Sequence, residues 1–131
     1  MIRRGLVVLT IIAIRTSDAS KPLALGAKDI PSCQILGEAE VTYYGGDFHG
    51  RPMANGEVFN KEDPTIVASP ILAMGRRVRI THIANRKSIE VVVQDRMPED
   101  APLNALDVSE AAARMLGIET VGRARLFVEA Y

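Results

Sequence analysis

Residues 76–94 set two short stretches of different character side by side, and together they confine the chain to a β architecture. Arg76 to Ile83 (RRVRITHI) alternates charged and apolar side chains, the period-two pattern of a half-buried strand. Ser88 to Gln94 (SIEVVVQ) is β-branched and partly continuous, as in a central strand. Ala84 to Lys87 joins them and reads as a hairpin turn around Asn85. The same reasoning predicts a strand over 38–44 that ends at Gly45-Gly46, a short β-branched run over 65–68, and a closing strand over 123–131 (RARLFVEAY). Residues 45–56 hold four glycines and a proline and read as loop.

One helix is predicted, Glu110 to Leu116. Ser109 is a good N-cap, Glu110 suits the positive end of the helix dipole, and Gly117 is placed to end the helix with positive φ. Ala111, Ala112 and Met115 offer it a small packing face. Many short strands, one short helix and glycine-rich loops predict a mainly β fold, a compact barrel rather than a sandwich of long strands.

A chain of 131 residues supports one core. Its formal net charge is +0, but five of the 16 Lys/Arg and only two of the 16 Asp/Glu fall before residue 38. Residues 38–131 therefore hold 11 basic and 14 acidic side chains. A mildly acidic domain lacks the footprint of a nucleic-acid binder and suits an uncharged polymer at least as well. The single cysteine, Cys33, has no internal disulfide partner and reads as a bystander thiol. His49 and His82 lie far apart, so no zinc-type spacing exists, and neither cofactor nor metal is expected.

The N-terminus runs from basic (Arg3, Arg4) through an apolar stretch, Gly5 to Ile14, to small and polar residues, Thr16 to Ser20. That order is the pattern of a secretory signal peptide, here residues 1–19 with cleavage after Ala19. A buried strand is one alternative. A membrane span is another, but it needs about 20 apolar residues. The expectation is export to the periplasm or cell envelope without a stable membrane anchor, a linker over 20–37, and a domain over 38–131 acting as a monomer.

Four stretches carry more. Tyr44-Gly45-Gly46-Asp47-Phe48-His49-Gly50-Arg51 precedes Ala54-Asn55-Gly56-Glu57-Val58-Phe59. Arg77-Val78-Arg79-Ile80-Thr81 follows, with Asn85. Val91-Val92-Val93-Gln94-Asp95-Arg96-Met97-Pro98 comes next, then Leu106-Asp107-Val108-Ser109 leading into the helix. In this order and spacing they resemble the rare lipoprotein A domain, from about Ala39 to Tyr131. The resemblance implies a six-stranded double-psi β-barrel with one short α-helix, related to expansin and barwin domains. It implies peptidoglycan glycan strands as the ligand. Characterised members include lytic transglycosylases that prefer strands stripped of their peptides. A lipid-modified cysteine would sit directly after the apolar core, and Cys33 lies well downstream of it.

Cleaving a glycosidic bond needs a proton for the leaving oxygen, usually from a carboxyl held protonated by its surroundings. In a lytic transglycosylase the sugar's own 6-hydroxyl replaces water, and one carboxyl can act first as acid and then as base, leaving a 1,6-anhydro end. Asp95 is the leading candidate. It follows the apolar Val91–Val93 run at a strand end that opens into a loop, where low dielectric meets access. The family holds this aspartate to be catalytic. Pairing with Arg96, or capping a turn, is the structural alternative. Glu57 matches a second family acid and otherwise reads as a solvated turn residue. Asp107 reads as structural, at the helix start.

Tyr44 and Phe48 flank the glycine loop and can stack on sugar rings, although strand alternation sends either Tyr43 or Tyr44 into the core. His49, Arg51, Asn55, Ser69 and Arg96 complete the candidate substrate contacts. Three positions depart from the family. Ser69 stands at the usual histidine, and its hydroxyl does not titrate near neutral pH. Met97 stands at a glycine, and Met53 at a threonine. A glycine needed for positive φ would be poorly replaced by Met97.

Two functions of different class therefore stand. One is an endolytic peptidoglycan transglycosylase using Asp95 with Glu57. The other is a non-catalytic module that holds or loosens glycan strands, which Ser69 favours. An expansin-like or plant-defence-like secreted effector is a third.

Overall fold

The computed structural model describes residues 33–131. The expected signal peptide and residues 20–32 of the expected linker lie outside the described residues. Six strands, β1 (Gln34–Tyr44), β2 (Ile66–Ser69), β3 (Arg77–His82), β4 (Lys87–Arg96), β5 (Leu106–Ser109) and β6 (Arg123–Ala130), close into a barrel in the order β1-β5-β2-β4-β3-β6. Two pairings are parallel, β1 with β5 and β2 with β4; the others are antiparallel. This is the mainly β barrel with one helix that the sequence predicts.

Period-two patterning explains the inside of the barrel. Val78 and Ile80 of β3, Ile89, Val91 and Val93 of β4, and Leu126 and Val128 of β6 point into one core with Val41 of β1 and Leu106 and Val108 of β5. Each such side chain taken fully out of water contributes about 1.5–3 kcal/mol. β2 is buried along its whole length. Val67 joins the main core, while Ile66 packs with Met53 and Phe59 in a smaller cluster under the glycine-rich loop.

Three details depart from the sequence reading. β1 starts at Gln34 and pairs with β6 through a register shift between Ile35 and Gly37, so residues 34–37 of the expected linker are strand. β5 is a strand that the sequence reading passed over. In the β3–β4 hairpin His82 pairs with Lys87, so the turn is 83–86, one residue earlier than predicted. Asn85 still organises that turn. Its Oδ1 accepts from the Lys87 amide (2.9 Å), and its Nδ2 donates to the Leu116 carbonyl (2.9 Å) at the end of the helix.

The helix, α1 (Glu110–Leu116), has the predicted bounds and caps. Ser109 Oγ accepts from the Ala112 amide (3.2 Å) and donates to the Asp63 carbonyl (2.6 Å). Gly117 takes φ 79°, and a Cβ there would lie 2.8 Å from Asn85 Nδ2, so glycine is required twice over. The buried face is Ala111, Ala112, Ala113 and Leu116. Met115, expected on that face, is 52% exposed because Leu116 occupies the core position instead.

Ser109→Ala removes both the cap and the tie to the 60–65 turn. It is expected to lower the unfolding free energy by about 1–2 kcal/mol in urea denaturation without changing the m-value.

Candidate functional site

One row of residues crosses four adjacent strands at the open end of the barrel. Thr42 of β1 pairs with Asp107 of β5, Asp107 pairs with Ala68 of β2, and Ala68 pairs with Asp95 of β4. Asp107 and Asp95 thus flank the same alanine, with backbones roughly 10 Å apart across two inter-strand spacings. The small Ala68 side chain leaves space between them. A cleft of about 390 Å³ opens there, lined by Tyr44, Phe48, Ala68, Asp95, Arg96, Met97, Pro98 and Asp107.

A β-bulge aims Asp95 into this cleft. The β2–β4 register runs Val67 with Val93 and then Ala68 with Asp95, leaving Gln94 as the extra residue. Without it, Asp95 would keep the inward parity of Val91 and Val93. The extra residue bends the strand end and turns the carboxyl toward the opening. The Tyr44 hydroxyl donates to Asp95 Oδ2 (3.0 Å), and the amides of Ala54 and Arg96 donate to Oδ1 (both 2.9 Å). Asp107 Oδ1 accepts from the Thr42 hydroxyl (2.8 Å). Burial pushes the Asp107 carboxyl above its ordinary pKa; the Thr42 hydrogen bond pulls it down, and the Asp95 charge adds to the rise.

The expected substrate residues divide. Tyr44, Phe48, Asp95 and Arg96 line the cleft. Phe48 is 51% exposed, sits edge-on to Tyr44 (5.7 Å) and carries the Arg51 guanidinium over its ring (5.7 Å). Arg96 Nη1 donates to the carbonyls of Ser69 (2.9 Å) and Leu72 (2.8 Å), so it braces the 69–72 turn and makes no ion pair with Asp95. His49 Nδ1 accepts from the Lys61 amide (3.1 Å) and orders the loop.

Glu57 and Asn55 fall elsewhere. They line a separate open groove of about 460 Å³ with Met74, Gly75, Val92, Val93 and Gln94. The 53–57 loop lies between the two depressions: its Ala54 amide binds Asp95 Oδ1, and its Asn55 amide donates to the Gln94 carbonyl (3.2 Å). Ser69 is 1% exposed, and its Oγ accepts from the amides of Ile71 (3.2 Å) and Leu72 (2.9 Å). It lines a third, smaller cavity of about 170 Å³ rather than the Asp95 cleft.

The other family departures also fit locally. Met53 packs in the Phe59–Ile66 cluster. Met97 lines the cleft with an ordinary negative φ, since Arg86 is the one non-glycine residue with positive φ among those described. Sequence reasoning missed Asp107 as a cleft residue. Its signal was the alternation Leu106-Asp107-Val108, which places a carboxyl between two core side chains on a strand.

The family model described as lytic transglycolase matches residues 38–128. The chain belongs to this family, the double-psi β-barrel proteins of the rare lipoprotein A type. Over 101 residues it is 38% identical to the endolytic peptidoglycan transglycosylase RlpA of Pseudomonas aeruginosa, covering 77% of this chain and 28% of that protein. Over 88 residues it is 39% identical to the RlpA of Neisseria meningitidis, covering 67% of this chain and 36% of that protein. The chain therefore spans about a third or less of these two relatives. The fold is shared with a Streptomyces papain inhibitor (TM-score 0.60, 24% identity, 77% of this chain and 96% of that one). It is shared as well with a Clavibacter michiganensis expansin solved with cellohexaose (TM-score 0.53, 20% identity, 72% of this chain and 48% of that one).

In this rare lipoprotein A-type barrel Asp107 binds its proton more tightly folded than unfolded. Folding stability therefore falls as pH rises through its raised pKa. Asp107→Asn, which keeps an acceptor for Thr42, is expected to stabilise the protein near neutral pH. That gain disappears as pH drops below the ordinary carboxylate range of about 4. Thermal melts of both proteins from pH 3 to 8 check this.

Proposed function

We propose that the protein is an exported, monomeric cell-envelope enzyme that cleaves peptidoglycan glycan strands from within, with Asp107 and Asp95 as its acid and base. The observation that carries this reading is the pair of carboxyls on either side of Ala68 in one open cleft. Asp107 is the carboxyl that burial pushes toward its protonated form, which suits it to protonate the leaving glycosidic oxygen. Asp95, which lines the same cleft, takes the proton from the sugar's 6-hydroxyl. The C1–O4 bond breaks as the O6–C1 bond forms, and the product carries a 1,6-anhydro end. No water is consumed, and solvent exchange restores both carboxyls.

Phe48 offers an apolar ring edge for the sugar beside the scissile bond. Glu57 and Asn55, in the neighbouring groove, act by holding the continuing strand rather than by proton transfer. The names of the relatives, endolytic peptidoglycan transglycosylases, support the same substrate. A second reading, a module that grips glycan without cutting it, draws on Ser69. The hydroxyl at the family's histidine position is spent on a turn.

Purified protein incubated with peptide-stripped peptidoglycan is expected to release soluble fragments with 1,6-anhydro ends, read by mass spectrometry. Asp95→Asn and Asp107→Asn are each expected to slow release by about 10²- to 10⁴-fold. Sedimentation with the glycan and no soluble product would establish the gripping module instead.

A further inference from the structure

The geometry points to Tyr44 as a positioning residue that fixes the Asp95 carboxylate, and not as a platform for sugar stacking. The inference rests on the cleft's proposed glycan chemistry for its kinetic consequence, and on the packing around one ring for its origin.

Tyr44 is the last residue of β1. Its ring lies nearly parallel to Phe59, with centroids 4.3 Å apart and planes 17° off, and Phe48 meets it edge-on. Phe59 is 2% exposed and is itself fixed by its own backbone: its amide donates to the Arg51 carbonyl (2.8 Å), and its carbonyl accepts from the Gly50 amide (2.9 Å). One face of Tyr44 is therefore covered by a ring that cannot step aside. Phe48 packs against the same ring, which narrows the aromatic surface open to a sugar. The hydroxyl is the part of Tyr44 left to act, and it donates to Asp95 Oδ2.

Asp95 needs such a partner. It sits just beyond a bulge and one residue from the end of β4, where the strand is bent and its side chain turned out of the core alternation. Two donors from outside β4 hold it: the Tyr44 hydroxyl on Oδ2 and the Ala54 amide on Oδ1. With both oxygens engaged from different elements, rotation of the carboxylate is restrained. Burial, then the neighbouring charge of Asp95, push the Tyr44 phenol far above its usual pKa. Tyr44 thus stays a donor across the pH range in which a fold like this works. It orients the base and takes no part in proton transfer.

Tyr44→Phe keeps the ring and its stacking on Phe59 while deleting the hydroxyl. Kinetics on peptide-stripped glycan strands are expected to show kcat lowered about 10- to 100-fold, as for a slightly misplaced catalytic group, with KM within about twofold of wild type. A raised KM with unchanged kcat would make Tyr44 a sugar contact and overturn the inference. A second measurement does not depend on turnover: the ¹³Cζ resonance of Tyr44 in ¹³C-tyrosine-labelled protein is expected to move in Asp95→Asn. An unmoved resonance overturns the positioning role whether or not the wild type cuts glycan. A moved resonance in a protein that releases no fragments leaves the pairing standing and removes the cleavage reaction alone.

Discussion

The two parallel pairings of the barrel, β1 with β5 and β2 with β4, are the constraint from which the cleft follows. Parallel neighbours cannot be joined by a tight turn, so the chain must leave the sheet and return between them. The connection from β2 to β4 passes through β3; the one from β1 to β5 passes through the glycine loop, β2, β3 and β4. These excursions bring residues separated by 65 positions, Thr42 and Asp107, into hydrogen-bonding contact. They also insert β2 between β4 and β5, which sets Ala68 between the two aspartates. Closure by β6 against β1 then leaves no strand edge around a mainly apolar core.

Electrostatics at this end is a balance that the fold holds open. Two carboxyls around one alanine repel, and burying either costs free energy unless donors compensate. Asp95 is compensated by three donors and Asp107 by one hydroxyl. The two neighbouring acids therefore sit in different environments, which is what the proposed division into acid and base draws on. The smaller Met53–Phe59–Ile66 cluster serves the same end, because it anchors the loop whose Ala54 amide reaches Asp95.

What could be read from the sequence was local. β3, β4, β6 and α1 follow from period and caps that lie within a few residues of each other, and the place of Asp95 at the end of a strand follows from the β-branched run before it. β5 did not, since four residues leading straight into an N-cap read as the approach to a helix. Residues 34–37 did not, because a glycine at φ 77° and a register shift interrupt the strand signal. The Asp107–Ala68–Asp95 row could not be read, because register between distant strands has no local signature. Glu57 belongs to the same loop as Ala54, whose amide binds Asp95, yet its side chain lines the other groove. The serine at the family's histidine position turns out to cap a turn.

The most direct test is the structure of Asp95→Asn with a bound peptide-free glycan oligosaccharide. The account predicts a sugar against Phe48 and a glycosidic oxygen within hydrogen-bond reach of Asp107, with the sugar's 6-hydroxyl toward position 95. A glycan seated wholly in the groove of Glu57 and Gln94, leaving the aspartate cleft empty, would contradict it.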